Sequence, residues 1–534
     1  MARTATARRT SAAALAVVLT AGACGADTDE GPDAAVDEEV HRTGFVGEQE
    51  AGEPVSGGTL TFADYSEARS LDPVDNVAHG ASGGNPLAAV YDVLVRYDPE
   101  AEGFEPWLAE DIESDDDFLT WTLTLREDTE FGDGTPLDAD AVVASIERYI
   151  EEGGSDAATL EPHIDRIEAE DDTTVVFHLT TPWSTFPSLL SQGAGMVVAP
   201  AALEGEEFEP VGAGPFELER YAPQEELVLT AREDYWQGAP HLDAVRFIWP
   251  QGDEAKVDAL EEGSVDAAFL RTPAEIESAH ELEYRGYSEL NSLGNALLVN
   301  HAEGRPGEDP RVREAIALAL DPEVTYERAH EGAGVPFGGL FSEQSRWSTG
   351  VELPGHDQER ASELLAEAVA DGYDAELTYL GGADGNVGRN EAMAAKALLE
   401  SVGFTVELDL VPSIADRIQR MFADKDFDIA RGALSISEAD PFQGLYRNLS
   451  AGSPINSGSY DNPEMEGLLA ELQGAPTDGE RQEVLTRIEE EWLSTVPHVG
   501  EGAGLFFVPW QEDVHGIEAS SETLLLLGGA WMDR

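Results

Sequence analysis

Cysteine is nearly absent. Cys24 is the only one in 534 residues, which excludes a disulfide within the chain and any multi-thiolate metal site. Lysine is almost as scarce: Lys256, Lys396 and Lys425 are the only three among 31 basic residues, set against 107 acids and a formal net charge of −76. Phosphate binding needs clustered cations, so nucleic acid is not expected as a partner. No apolar run reaches the ~20 residues of a spanning helix. The 11 His show neither H-x-x-x-H nor H-E-x-x-H spacing, and the P-loop is missing too. No metal site or other cofactor is therefore expected, and a secreted hydrolase is the disfavoured reading from a different class. Carboxylate pairs abound, but with so many acids they discriminate nothing.

The beginning of the chain is laid out as an export signal. Arg3, Arg8 and Arg9 precede the apolar run from Ala12 to Leu19, and small residues lead to Cys24. Thr20-Ala21-Gly22-Ala23-Cys24-Gly25 resembles a bacterial lipobox, with Ala21 where leucine is usual. Residues 1–23 are expected as a cleaved signal peptide and Cys24 as the lipidation site, placing the protein at the extracellular face of the cytoplasmic membrane. A cleaved signal with an incidental cysteine is the competing reading. Residues 24–56 are acidic and rich in Gly, Pro and Ala, too poor in apolar surface to offset their ordering entropy, and read as a tether. The remaining acid is spread along the chain, as suits a surface kept hydrated in strong salt, where the screening length falls to about 3 Å at 1 M. A cationic ligand drawn in by the overall field is the other reading of that charge.

Strand and helix patterns interleave after the tether, so the class is α/β, and a chain this long needs more than one core. Alternating runs predict strands at 58–63, 119–126, 174–180, 227–230, 244–249, 376–380, 405–410 and 504–508. Helices are expected at 87–94, 139–149 with Asp138 as N-cap, 311–320 and 359–370.

Three blocks resemble family 5 of the ABC-importer solute-binding proteins, the class for peptides, nickel and oligosaccharides. They are Pro106-Trp107-Leu108-Ala109-Glu110 with Leu119–Arg126 and Phe131–Val142; Gly212-Ala213-Gly214-Pro215-Phe216 with Asp234-Tyr235-Trp236 and Gly263–Ala268; and Asp309–Asp321. Gly132 and Ala141 depart from the family pattern. The resemblance implies a two-lobed periplasmic-binding-protein-like (type II) fold with an extra subdomain inserted in the first lobe. Lobe I would comprise 57–95, 211–290 and 506–534, the insert 96–210, and lobe II 291–505. It further implies a non-enzymatic, monomeric receptor that closes on a small ligand and hands it to an ABC importer permease, touching the membrane through its lipid anchor only. Oligopeptide is the family default; a sugar, opine or metal chelate is the alternative.

Peptide-binding members place an aspartate four residues before a proline to pair with the ligand's α-amino group. Counting back from Pro441 gives Ser437, and a neutral hydroxyl cannot replace a carboxylate against ammonium. Leu434 stands where an aromatic is frequent. Asp440 either substitutes for the missing acid, as Glu438 could, or caps the helix that begins at Pro441. Arg431 can offer a bidentate fork to an anionic group or pair with a neighbouring acid of its own lobe. By the same resemblance Asn76, His79 and Gly80 approach the ligand from the first lobe, Asn291, Ser292 and Asn295 from the hinge, and Gly381, Gly382 and Asn386 from a lobe II strand end.

Overall fold

The computed structural model describes residues 39–534 apart from 50–51, 204, 206–207 and 384–385. The expected signal peptide and Cys24 lie outside the described residues.

Ten strands form one mixed sheet path, with two short strands added at its middle. From one edge the order is Thr405–Val411, Glu376–Gly382, Ile429–Gly432, Arg285–Val299 and His498–Trp510. It continues through Ala267–Ala268, Thr59–Ala63, Ala244–Ile248, Glu226–Ala231 and Phe216–Ala222. The two long strands, Arg285–Val299 and His498–Trp510, run antiparallel through both lobes. Their register breaks at the lobe boundary, where Asn291 faces Gly504, Asn295 faces Gly502 and Ala296 faces Gly500. Here the backbones come too close for side chains: a Cβ on Gly294 would lie 2.2 Å from the Gly504 nitrogen. Such a bulge bends a strand pair and is a natural flexing point.

The insert has its own antiparallel sheet, ordered Ala109–Ser114, Thr120–Leu125, Thr174–Leu179, Ile164–Ala169, and the helix Ala139–Glu151 packs on it. Asp138 caps that helix as expected, accepting from the Ala141 N–H at 2.9 Å. The insert shares a core with lobe II helices. Trp183 meets Phe442 edge-on at 5.2 Å and His163 meets Tyr446 at 5.1 Å, each such contact contributing about 0.5–1.5 kcal/mol beyond burial. These rings pack the insert against lobe II.

Two expectations change. The helix expected at 87–94 runs Gly84–Tyr91, because Asp92 takes a positive φ of 59° that ends it. The second half of the expected tether is bound to the body. Val40 and Val46 are buried, Gly44–Val46 pairs with the strand at Gly286–Ser288, and the Ser288 hydroxyl donates to the Val40 carbonyl at 2.6 Å. Val40, Phe45 and Val46 supply the apolar contacts that an average over the acidic segment conceals.

Candidate ligand-binding site

A cavity of about 870 Å³ opens between the lobes at the bulge. Lobe I lines it with Tyr65, Glu67, Trp249, Lys256 and Arg271; lobe II contributes His330, Val387, Arg431, Ala433 and Ser435; Asn291, Gly294, Asn295 and Ala503–Phe506 form the floor. A second cavity of about 650 Å³ lies on lobe II, among Phe337, Leu353, Pro354 and Trp492. It touches one lobe only, so closure could not act on its contents, whereas the interlobe cleft changes shape whenever the floor bends.

Arg431 extends from the end of the strand Ile429–Gly432 into this cleft. Its Nε and Nη2 grip Glu391, the Nη2–Oε1 distance being 2.9 Å, and Nη2 also donates to Asn295 Oδ1 at 2.8 Å. Nη1 has no partner among the described residues, and a quarter of the side chain stays exposed. Asn295 in turn donates to the Tyr326 hydroxyl at 2.8 Å, and His330 Nε2 stands 3.1 Å from Glu391. Burial alone would raise the Glu391 carboxyl, but the His330 contact and the Arg431 charge outweigh it and hold it down to about 2. Glu501, buried behind them, is pushed up to about 7 by burial and then by the charge of Glu391, against the pull of Arg431.

The lobe I wall carries two further cations. Lys256 is spent internally on Asp253 and the Phe269 carbonyl. Arg271 is exposed, stacks over Tyr65 at 4.9 Å and donates to its hydroxyl at 2.8 Å. In a chain of net charge −76, two arginines face one cleft, and a guanidinium can fork to an anionic group.

Of the residues expected from sequence, Asn291, Asn295 and Arg431 line this cleft, and the others are occupied elsewhere. Asn76 ties its own loop, donating to the Ser70 and Asp72 carbonyls and accepting from the Arg69 N–H. His79 faces Glu522 at 3.4 Å, and Gly80 lets the Thr523 carbonyl pass where a Cβ would sit 2.1 Å away. Ser292 is buried in a backbone pair with Ile436. Gly381 and Gly382 are buried against Leu410 and Val411, and Asn386 precedes the helix Val387–Val402, leaving Val387 to reach the cleft. Leu434 is core. Ser437 is buried, and its hydroxyl accepts from the Ala439 N–H at 3.3 Å. Asp440 caps the helix Pro441–Leu449 and accepts from the Ser188 hydroxyl at 2.6 Å, so it is not a substitute acid in the cleft. Sequence reasoning missed Arg271, Tyr65, Trp249 and Glu391, which lie far apart in the chain and carry no local motif.

A two-lobed α/β fold with a polar cleft at a bulged hinge defines the class of binding proteins that close around a solute. Residues 103–455 match the bacterial extracellular solute-binding proteins, family 5 Middle, and the chain belongs to that family. It is 31% identical over 323 residues to the glutathione-binding protein GsiB of Escherichia coli O1:K1 / APEC; the match covers 58% of this chain and 61% of that one. The fold is similar to that of DppA from Helicobacter pylori in complex with the peptide STSA, with a TM-score of 0.75 and 21% identity over 90% of this chain and 99% of that one. It is likewise similar to the PBP AgaA from A. tumefaciens R10 in complex with agropinic acid, with a TM-score of 0.73 and 24% identity over 89% and 99%.

Proposed function

We propose that the protein is the monomeric, lipid-anchored receptor of an ABC importer, delivering a small polar solute by closing its lobes at Asn291–Asn295, and is not an enzyme. The observation that carries this reading is the interlobe cleft itself, with Arg431 and Arg271 on opposite walls beside a bulged floor. The pair favours a solute with a carboxylate. Peptides, glutathione-like peptides and opines share that group, and the names of the relatives span the same chemistry. Among the alternatives kept from the sequence, a neutral sugar is disfavoured by the two cations.

Native mass spectrometry of the purified protein should reveal a co-purified carboxylate solute, and Arg431→Ala should weaken its binding at least about tenfold, the loss of one charge-assisted contact. Unchanged affinity in that variant would sink the anionic anchor. Anchoring is checked separately: radiolabelled palmitate should mark the wild type and not Cys24→Ala, and labelling of neither would leave an unlipidated secreted form.

A further inference from the structure

Between Gly25 and Gly57, His41 and Arg42 are the only basic residues and Phe45 is the only aromatic one. This short exception within an acidic segment is the part that binds the body. Phe45 meets Tyr287 edge-on at 5.5 Å and Trp510 at 6.4 Å, one ring on each of the two long strands. Val40 and Val46 enter a core shared with Leu290, Ala503 and Leu505 beside the bulge. Gly44–Val46 pairs with Gly286–Ser288 on the edge of the hinge strand that does not face His498–Trp510, and the lobe II strand Ile436–Ser437 pairs with Asn291 and Ser292 on that same edge. The two short strands therefore lie end to end along the hinge strand, and Leu290 marks the join between them.

Thr43 spans that join. Its hydroxyl oxygen accepts from the Leu290 N–H at 3.1 Å on the lobe I side. On the lobe II side stands Glu438: burial raises its carboxyl, and hydrogen bonds from the Ser345 and Thr43 side chains and from the Arg346 N–H oppose the rise. A crevice of about 330 Å³ lies at this meeting point, lined by Arg42, Thr43, Tyr97, Ser345, Arg346 and Glu438. A second link between the lobes lies beside the segment, where Glu277 of the lobe I helix Pro273–Glu281 accepts from the lobe II Gly334 N–H at 2.9 Å and stands 3.9 Å from His41. The register break begins one residue beyond Leu290, at Asn291. A turn of the lobes at the bulge moves Glu438 relative to Leu290, and one hydroxyl cannot follow both. The contact is thus made in one lobe arrangement and lost in another, which is the differential interaction required to bias an equilibrium between them.

We propose that residues 39–49 form a strap across the hinge, with Thr43 as its catch on lobe II, and that the strap holds the lobes in the arrangement seen in this structure. The inference rests on reading the interlobe cleft as a site that closes on solute. The strap joins the body ahead of the first lobe I strand, Thr59–Ala63. An anchor at Cys24 would therefore pull on the hinge and not on the end of a free lobe, so that tether and closure are linked mechanically.

The test measures the distance between spin labels on Leu218→Cys of lobe I and Met393→Cys of lobe II, both exposed, in the full chain carrying Cys24→Ala, with circular dichroism to verify folding. Thr43→Val keeps the side-chain shape and removes the catch. It should shift the ratio of lobe arrangements at least about fivefold, as the loss of one hydrogen bond does. Val40→Asp places a charge at a fully buried strap position, and should release the strap and shift the ratio further. Thr43→Ser retains the hydroxyl and should leave the distances as in the parent chain. Should Val40→Asp fail to fold, the two Thr43 variants decide. Distances unchanged by Thr43→Val, or moved as far by Thr43→Ser, overturn the strap. Gly294→Ala separates that failure from failure of the hinge reading, because a Cβ there would lie 2.2 Å from the Gly504 nitrogen and must displace the floor. Distances that move with Gly294→Ala alone sink the strap and leave the hinge standing, whereas distances that move with no variant sink both.

Discussion

The lobe II wall of the cleft and the inner face of the hinge strand hold polar groups of similar kinds, and treat them in opposite ways. On the wall, Arg431, Glu391, Asn295, Tyr326 and His330 satisfy one another, and a single guanidinium nitrogen is left over. Along the strand, Tyr287, Glu289 and Asn291 are more deeply buried, and the Tyr287 hydroxyl, one Glu289 oxygen and the Asn291 amide have no partner among the described residues. A closed network of charge-assisted bonds is rigid and keeps its geometry whether or not ligand is present. An open row calls for completion by ordered water, an ion or a ligand. The wall thus positions one donor, and the strand leaves both donors and acceptors open.

Removing Glu391 should break this contrast most severely. Glu391→Ala leaves the Arg431 charge buried with Asn295 alone, and should cost about 3–5 kcal/mol in denaturant unfolding; a loss below about 1 kcal/mol would mean the wall is not a network. The same carboxylate sets an acid limit. Because its folded-state value is depressed to about 2, its contribution is complete above the ordinary carboxylate value of 4.5 and is lost as pH falls from there through about 2.

Glu501 should behave in the opposite sense. Its value is raised from 4.5 to about 7, so the folded state holds the extra proton, and stability declines as pH rises through that window. Glu501→Gln keeps the shape and removes the titration. It should flatten the decline and raise stability above pH 7 by up to about 3 kcal/mol, following 1.36 kcal/mol per unit. A decline unchanged in slope would assign it to other buried acids, Asp64 among them, which is also raised to about 7.

The smallest effect sharpens the other side. Asn291→Ala deletes an amide with no partner, so folding stability should change by less than about 0.5 kcal/mol, while solute affinity measured by calorimetry drops by about 1 kcal/mol or more. Destabilisation without loss of affinity would show that the amide serves the fold and that the row is not open to ligand.

The sequence by itself determined the α/β class, the helix caps at Asp138 and Asp440, most strand positions and the family, because each depends on contacts within a few residues or on ordered local motifs. It also singled out Arg431, which lines the cleft, and framed the choice between an anion and an internal acid. Only the tertiary structure decided that choice, giving most of the guanidinium to Glu391, forty positions away, and leaving one nitrogen to the cleft. It likewise took Asn76, His79, Gly80, Ser437 and Asp440 out of the cleft, bound residues 39–49 to the body, and set Glu522 near Glu289 across more than two hundred residues. The physical reason is common to all of these. Which acid meets which cation, and which polar group is left without a partner, depends on how strands distant in sequence come into register, and nothing local to a residue encodes its partner across the sheet.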